Sequence, residues 1–308
     1  MAFPIEKKLV IAVASSALFD LTESDAVFRR NHDEDRKYQR DNQAMVLDRG
    51  VAFPFIRRFL NLNRAMDGIQ PVEVVLLSKN DPDTGLRVFK SIQHYGLDIS
   101  RAAFTGGKSP FSYIPAFNVS LFLSADHSDV QEAINAGYAA GTVLKTVFND
   151  NEDDNELRIA FDFDGVIADD KAETVYQQTG DIDKFHVSES EKAEIPHDSG
   201  PLTGLFQKLA FLQKLEIKYA TEHSNYKRML RTAIVTARNA PSHERVVTTL
   251  RSWDVTVDET FFLGGIQKSR ILEVFQPHIY FDDQRLHLDP SSGIIPSVHI
   301  PFGVTNRK

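Results

Sequence analysis

Two aspartates that directly follow one apolar segment are the residues of this sequence best suited to chemistry. Residues 159–161 are apolar, and Asp162, Phe163, Asp164 and Gly165 come next. In a continuing strand this spacing puts both carboxylates on one face, and at the end of a strand the glycine permits a sharp loop that aims both at one point. Two neighbouring carboxylates suit Mg²⁺, which prefers oxygen ligands. One carboxylate can also act as the nucleophile in phosphoryl transfer while the other moves the proton.

A phosphate group beside these aspartates needs hydrogen-bond donors and a positive charge, and two later segments supply them. Thr236 follows the apolar residues 232–235, so its hydroxyl and the nearby backbone N–H groups, that of Ala237 included, are candidates for binding phosphate oxygens. Arg238 either assists in this binding or only supports the loop. Lys268 comes shortly after two glycines and offers a compact positive charge. Any one residue of this kind is more often structural, so it is their order along the chain that indicates a site.

The elements that must position these residues are short apolar runs separated by helical patterns, an order typical of parallel α/β sheets. In an open parallel sheet the carboxyl ends of the strands form the ligand crevice, which is where the residues above stand. A second acidic pair, Asp282 and Asp283, also ends such a run, and one of the two is predicted to complete the metal shell. The predicted strands are residues 9–13, 72–77, 120–123, 158–161, 231–235 and 278–281.

An internal repeat divides the chain into two related α/β lobes, residues 1–150 and 155–308, joined by the polar stretch 149–155. The first lobe has no carboxylate where the second has its four aspartates, so we predict that it is catalytically silent. It then serves as a packing partner, as an oligomer surface, or as a second anion or nucleotide pocket built from residues 78–80 and 106–109. The aligned segments are 11–16 with 159–164, 76–80 with 234–238, 104–107 with 262–265, and 122–125 with 280–283.

About 65 residues separate Val166 from Thr232, too many for one crossover helix. We therefore predict a small cap over the site, inserted around residues 168–200. Tyr176, Phe185 and His186 are its candidates for contacting a nucleotide base. The alternative is a solvated helical insertion whose aromatic side chains pack a small core of their own.

Composition limits the partners of the protein. The 308 residues are 42% hydrophobic and 25% charged, which describes a globular chain. A net charge of −8 opposes binding to nucleic acid polymers or anionic membranes, and no segment has the roughly 20 apolar residues of a membrane span. The absence of cysteine excludes disulfides, thiolate nucleophiles and Cys-ligated metals.

The order of these residues resembles the haloacid dehalogenase superfamily of Asp-dependent phosphatases: a DxDGV segment, a strand ending in Thr, a Lys, and a strand ending in two acids. Longer segments in both lobes look like the cytosolic 5′-nucleotidase I family, and the resemblance covers nearly the whole chain. The superfamily motifs are shared by phosphatases of many substrates, whereas the longer segments are the ones that point to nucleotides. These segments are residues 91–95, 105–110, 123–126, 200–204, 234–238, 250–253, 277–284 and 301–303.

The resemblance implies two tandem Rossmann-like lobes of the haloacid dehalogenase type with parallel sheets, the first degenerate and the second catalytic and capped. It also implies Mg²⁺-dependent hydrolysis of a nucleoside 5′-monophosphate, typically AMP or a deoxynucleotide, in the cytoplasm. Oligomers of identical chains are compatible with it. Two other functions stay open: a phosphatase of the same superfamily acting on a sugar phosphate, and a nucleotide-sensing module without turnover.

Roles carried over from the family fall on the residues already singled out. Asp162 would attack phosphorus, and Asp164 would protonate the leaving 5′-oxygen and then activate the water that cleaves the aspartyl-phosphate. Mg²⁺ would bridge the Asp162 carboxylate, the backbone carbonyl of Asp164, and Asp282 or Asp283. Positioning and charge neutralisation by Mg²⁺, Lys268 and Thr236 would supply most of the rate.

Overall fold

The chain forms two compact units, Met1–Tyr138 and Ala139–Lys308. The computed structural model describes residues 5–22, 32–66, 68–146, 149–174 and 180–306. The division between the units lies ahead of the linker predicted at 149–155. A strand at Ala140–Val143 pairs antiparallel with Ser297–His299 at the far end of the second unit. Because that pairing is long-range, the local sequence pattern gave no sign of it.

The first unit contains a parallel four-stranded sheet in the order β3-β2-β1-β4. The residues of its inner strands are all buried, and they are apolar except for Glu73 and Ser78 in β2, as expected for strands covered on both faces. The strands are β1 (Leu9–Val13), β2 (Val72–Ser78), β3 (Arg101–Phe104) and β4 (Val119–Ser124). The helices are α1 (Ser15–Leu18), α2 (His32–Asp41), α3 (Phe53–Ala65), α4 (Pro82–His94) and α5 (His127–Asn135).

Among its described residues, the second unit contains six strands in the order β5-β10-β9-β6-β7-β8. All of its neighbouring strands are parallel except β5 and β10. The strands are β5 (Ala140–Val143), β6 (Leu157–Phe161), β7 (Leu230–Thr236), β8 (Glu259–Phe262), β9 (Ile279–Asp282) and β10 (Ser297–His299). The helices are α6 (Ile182–Glu191), α7 (Thr203–Glu222), α8 (His243–Ser252), α9 (Lys268–Phe275) and α10 (Arg285–Ser291).

Local signals explain where several helices begin. The Asp81 carboxylate accepts a hydrogen bond from the Thr84 backbone N–H at 2.9 Å, and Pro82 supplies the first residue of α4. Asp181 caps α6 in the same way, accepting from the backbone N–H groups of Asp183 and Lys184 at 3.0 and 3.3 Å. Within the described ranges, no helix combines the length and the apolar character needed to cross a bilayer.

The predicted α/β class is confirmed, and each of the six predicted apolar runs forms a strand. Four further strands, β3, β5, β8 and β10, were not predicted. Each is only three or four residues long. The residues of β8 are half-buried and those of β3 are half-buried or exposed, so neither edge strand needs the continuous apolar run that marks a central one.

Several strands and helices of the two units are equivalent and follow in the same order. Strands β1, β2 and β3 of the first unit have the same order and the same lengths as β6, β7 and β8 of the second, at offsets of 148, 158 and 158 residues. Helices α2 and α6 correspond at an offset of 150, although the sequence comparison had not aligned them. The internal repeat therefore extends into the segment predicted as a cap.

Candidate active site

The carboxyl ends of three adjacent strands in the second unit bring the predicted residues together. Asp162 follows the central strand β6, while Thr236 and Asp282 are the last residues of its neighbours β7 and β9. Lys268 is the first residue of α9. All four are at most 4% exposed, so charged groups are held here in a largely water-free environment.

Lys268 joins two of the aspartates. Its ammonium lies 2.7 Å from Oδ2 of Asp162 and 2.8 Å from Oδ2 of Asp282. The backbone N–H of Phe163 donates to Oδ1 of Asp162 at 2.7 Å. Burial raises the pKa of Asp162 to about 6, with Lys268 acting against this rise and Asp282 adding to it. Burial opposes the charge of Lys268, but Asp162 and Asp282 outweigh it and raise the pKa of the lysine. Lys268 therefore stays protonated and favours the ionised form of Asp162.

Asp282 has a protein partner for each of its oxygens. Besides Lys268, it accepts hydrogen bonds from the Tyr280 hydroxyl and from the Gln284 backbone N–H, the latter at 2.8 Å. His287 Nδ1 lies 3.3 Å from its Oδ2. Burial opposes ionisation, yet Lys268 and His287 hold the pKa of this carboxyl well below its usual range. Asp282 is thus an ionised anchor for its neighbours.

Asp283 differs from its neighbour because one of its oxygens lacks a partner. Oδ2 accepts from the Thr305 hydroxyl at 2.9 Å, but the buried Oδ1 has no hydrogen-bond partner among the described residues. Burial, Asp282 and Asp162 together raise the pKa of Asp283 well above its usual range. A buried carboxylate oxygen with no partner is costly unless a proton or a cation meets it.

Gly165 permits the close approach that the sequence suggested. Its φ of +72° lies in the left-handed region. A Cβ on this residue would stand 2.7 Å from Oδ2 of Asp283, so any other residue would collide with that carboxylate. The glycine of the DxDGV segment thus brings the loop after β6 against the acidic pair after β9.

Asp164 is held by Arg238 in a bidentate pair. Its two oxygens accept from Nε and Nη2 of the guanidinium, each at 2.7 Å. The sequence left two roles open for Arg238, binding phosphate or supporting the loop. Its observed partners are protein groups, Asp164 among them, and its side chain is only 2% exposed. The second role is the one that these contacts favour.

Thr236 and Ala237 lie where the phosphate-binding prediction put them, at the end of β7. Thr236 is buried, and its hydroxyl accepts a hydrogen bond from the Arg238 backbone N–H at 3.3 Å. Ala237 is exposed. Their role in binding phosphate stays a prediction.

Three residues of the insertion were not predicted from the sequence: Asp169, Glu189 and His197. Glu189, near the end of α6, accepts from Nη1 of Arg238 with one oxygen and from Arg245 with the other, the latter at 2.8 Å. His197 lies 3.2 Å from Glu189 and 3.5 Å from Asp169. Asp164, Arg238, Glu189, His197 and Arg245 form one cluster, buried at Arg238, Glu189 and His197 and half-buried at Asp164 and Arg245, which we call the insertion network. Aligning the sequence of α2 with that of α6 would have drawn attention to this part of the insertion.

The proposed base-contacting residues behave differently. Phe185 is buried, and its ring packs at 5.3 Å against the guanidinium of Arg238, a residue outside the insertion. His186 is half-buried beside it, with ring centroids 5.8 Å apart. Tyr176 lies outside the described residues. These contacts give no support to base recognition by Phe185.

His197 makes the stability of the insertion network depend on pH. Burial lowers the pKa of His197, but Asp169 and Glu189 outweigh burial and raise the pKa above its ordinary 6.5. Folding therefore favours the protonated form. The stabilisation is fully present below pH 6.5 and is lost as the pH rises through the higher value of the folded state.

We expect urea unfolding of the parent and of His197→Gln to differ most near pH 6 and progressively less towards pH 9. His223→Gln, at an exposed histidine, is the matched control and should track the parent throughout. A difference between His197→Gln and the parent that does not change with pH would contradict this assignment.

The corresponding strand ends of the first unit are closed by their own contacts. Ser78, at the position of Thr236, shares a hydrogen bond with Ser15 at 2.7 Å, and the Asn80 amide donates to Ser15 at the same distance. The Lys79 ammonium lies 3.0 Å from Asp126 and 2.8 Å from Asp129, so two carboxylates offset its charge.

In the loop after β3, two backbone N–H groups of the predicted anion pocket are already hydrogen-bonded within the protein. The same loop borders a cavity. The backbone N–H groups of Gly106 and Gly107 donate to the carbonyls of Asn80 and Lys79. Lys108 makes no ion pair with any described residue and borders a cavity of about 400 Å³. Most of the predicted anion-binding groups of this unit are therefore occupied by protein partners.

The second unit is an α/β sheet with one acidic pair after the central strand β6 and a second at the end of the adjacent strand β9, with Lys268 close to both. This arrangement is consistent with the Rossmann-like haloacid dehalogenase class of fold. Residues 1–307 match the sequence profile of a family described as 5′-nucleotidase. The chain belongs to the 5′-nucleotidase family.

A curated human relative, cytosolic 5′-nucleotidase 1B, is 35% identical over 288 residues, which cover 91% of this chain and 47% of the relative. The chain thus spans about half the length of this relative. No solved structure matches the chain.

Proposed function

We propose that this protein is a Mg²⁺-dependent 5′-nucleotidase that hydrolyses nucleoside 5′-monophosphates at the Asp162 site. The observation that carries the proposal is the convergence of Asp162, Asp164, Lys268 and the second acidic pair at adjacent strand ends of a chain in the 5′-nucleotidase family. The name of the human relative supports the same activity and a cytoplasmic location. AMP or a deoxynucleotide is the proposed substrate.

The donor set fits a divalent cation. The predicted site has four carboxylates and only two cations, Lys268 and Arg238. Asp283 Oδ1 is buried and has no partner in the described part of the chain, whereas both oxygens of Asp282 are already hydrogen-bonded. We therefore assign Asp283, with Asp162 and the Asp164 carbonyl, as the groups that would hold Mg²⁺, and Asp282 as the anchor of Lys268. Bound there, Mg²⁺ would offset the negative charge of the phosphoryl group during transfer.

A second donor set gives this assignment an alternative. Ligand atoms of Asp162, Asp282 and His287 all lie within 4.8 Å of one another. In that set Asp282 would have to give up contacts with Lys268, Tyr280 or the Gln284 backbone. Asp283 loses no hydrogen bond by using its Oδ1, which is why we favour it.

In the proposed mechanism, Asp162 and Asp164 carry out two steps, transfer of the phosphoryl group to Asp162 and hydrolysis of the aspartyl-phosphate. A carboxylate oxygen of Asp162 forms a bond to phosphorus as the bond from phosphorus to the 5′-oxygen breaks. Asp164 enters this step protonated, with one of its two hydrogen bonds from Arg238 released, and gives the 5′-oxygen its proton. Water then attacks the aspartyl-phosphate, Asp164 takes the proton, and the bond between Asp162 and phosphorus breaks. Lys268 stabilises charge at Asp162 throughout, because its position is already fixed by two carboxylates before the substrate binds.

Phosphate release from a panel of substrates tests the proposal. The panel pairs nucleoside 5′-monophosphates with sugar phosphates, each with and without Mg²⁺. We expect release from nucleotides at least tenfold faster than from sugar phosphates, and only with Mg²⁺. Preference for a sugar phosphate would support the other phosphatase function, and nucleotide binding without any release would support a sensing module.

We further propose that the first unit is a degenerate, non-catalytic copy that serves as scaffold. Its strand ends have no carboxylate at the aligned positions, and Lys79 is already paired with two acids. Equilibrium binding of AMP to the Asp162→Asn variant should therefore give one site per chain, unaffected by Lys108→Ala. Two sites, reduced to one by Lys108→Ala, would instead show a regulatory pocket in the first unit.

A further inference from the structure

Glu189 lies far along the chain from the DxDGV segment, but in the fold it contacts Arg238, which binds Asp164 of that segment. It belongs to α6, yet it is buried against Arg238, the residue that holds both oxygens of Asp164. We propose that Glu189 is a positioning residue that fixes Asp164 through Arg238. The inference rests on the proposed function, because it assumes that Asp164 is the acid and base of the reaction.

The Arg238 guanidinium is fixed on every side. Nε and Nη2 bind Asp164, while Nη1 donates to Glu189 and to the backbone carbonyl of Ser242. Phe163 and Phe185 lie over the guanidinium at 5.6 and 5.3 Å. Burial opposes the charge, but Asp164 and Glu189 outweigh it and raise the pKa of Arg238.

Glu189 is itself held in a single position. Arg245 binds its second oxygen at 2.8 Å, and His197 Nε2 lies 3.2 Å from the oxygen that faces Arg238. Burial opposes ionisation, yet His197 and Arg238 hold the pKa of Glu189 well below its usual range. A permanently charged carboxylate therefore shares Arg238 with Asp164, and the guanidinium cannot turn without breaking both pairs.

The first unit provides an internal control for what this cluster does. Two contacts that support the backbone are present in both units. Arg87 donates to the carbonyl of Met45 at 3.0 Å, as Arg245 does to that of Ile195 at 2.8 Å. The backbone N–H of Leu47 donates to Ser91, as that of His197 does to Thr249. These contacts therefore belong to the fold that the units share.

Four members of the cluster, Asp164, Arg238, Glu189 and His197, are replaced by neutral residues in the first unit, whereas Arg245 has Arg87 as its counterpart. Gln39, at the position of Glu189, is just as buried. Since the same fold forms without these charges, the charges serve the unit that carries the catalytic aspartates. The equivalent pairs are Asp164 with Ser16, Arg238 with Asn80, Glu189 with Gln39, and His197 with Leu47.

A double-mutant cycle between Glu189 and Asp164 tests the proposal. Rates of AMP hydrolysis are measured in single turnovers with the enzyme in excess, so that the slow Asp164→Asn variant stays measurable. We expect Glu189→Gln to lower the rate about 10- to 100-fold, as loss of a supporting partner commonly does. In the Asp164→Asn background the same change should cost less than about twofold, because the group that Glu189 positions is already gone.

Controls separate positioning from a purely structural role. Glu191→Gln, on the same helix but exposed, should match the parent. Glu189→Asp keeps the charge on a shorter arm and should restore part of the rate, with the KM of AMP within about twofold of the parent. Should Glu189→Gln fail to fold because it leaves buried guanidinium groups short of a carboxylate, Glu189→Asp takes its place in the cycle.

The outcomes distinguish this inference from the proposed function. Equal losses from the Glu189 change in both backgrounds would overturn the positioning role while leaving the nucleotidase assignment intact. Near-parental activity of Asp164→Asn alone would instead remove Asp164 from the chemistry, and the proposed mechanism would fail with it.

Discussion

Replacing Asp162 with asparagine should lower turnover of a good nucleotide substrate by roughly 10,000-fold or more, since the variant lacks the attacking carboxylate. The shape of the side chain is kept, and Asp282 still pairs with Lys268. The fold should therefore survive, with thermal unfolding close to that of the parent. Steady-state phosphate release from AMP at saturating Mg²⁺ is the measurement.

A matched control variant shows whether replacing an aspartate by asparagine lowers activity at any position or only at Asp162. Asp289→Asn, at an exposed residue of α10 that pairs with Arg285, should retain parental activity. Near-parental hydrolysis by a folded Asp162→Asn variant would show that Asp162 is not the nucleophile.

Removing divalent cations should abolish activity, and adding Mg²⁺ should restore it, because Asp283 makes no ion pair with any described residue and the phosphoryl group adds further negative charge. Asp283→Asn should raise the Mg²⁺ concentration needed for half-maximal activity more than Asp282→Asn does. The reason is that Asp283 has the buried oxygen without a partner, whereas Asp282 is engaged by Lys268 and its neighbours. Activity titrated against free Mg²⁺ gives the comparison.

Binding measured without turnover provides a second readout for the metal. Calorimetric titration of the parent and both variants with Mg²⁺ alone should show the weakest binding for Asp283→Asn. Full activity after exhaustive chelation would contradict the metal requirement. A larger loss of Mg²⁺ affinity in Asp282→Asn would favour the alternative set of Asp162, Asp282 and His287.

The central strands and the residues at their ends could be predicted from the sequence because both signals are local. A buried parallel strand is a continuous apolar run, and the acids and glycine that follow it stand out against that run. Asp162, Gly165 and Asp282 were found in this way. Lys268 was singled out because it supplies a compact positive charge shortly after two glycines.

Glu189 and His197 could not be found in this way because their significance depends on long-range packing. In sequence Glu189 is one acid in a polar helix, with exposed Glu191 two residues later. Only the fold shows that it is buried against Arg238. The short strand β5 was missed for a related reason, since it pairs with β10, more than 150 residues away. Strand β10 also pairs with the nearby β9, and at three residues it is too short to show a clear pattern.

The covalent intermediate offers the most direct test of the central claim, that Asp162 attacks the phosphate of a nucleoside 5′-monophosphate. The parent and the Asp164→Asn variant are mixed with AMP and Mg²⁺, quenched in acid within the first turnover, digested and mapped by mass spectrometry. We predict a phosphoryl group on Asp162 in both, with the larger fraction in Asp164→Asn because the second step lacks its base. A phosphoryl group on another residue, or hydrolysis with no covalent intermediate at any quench time, would contradict the account.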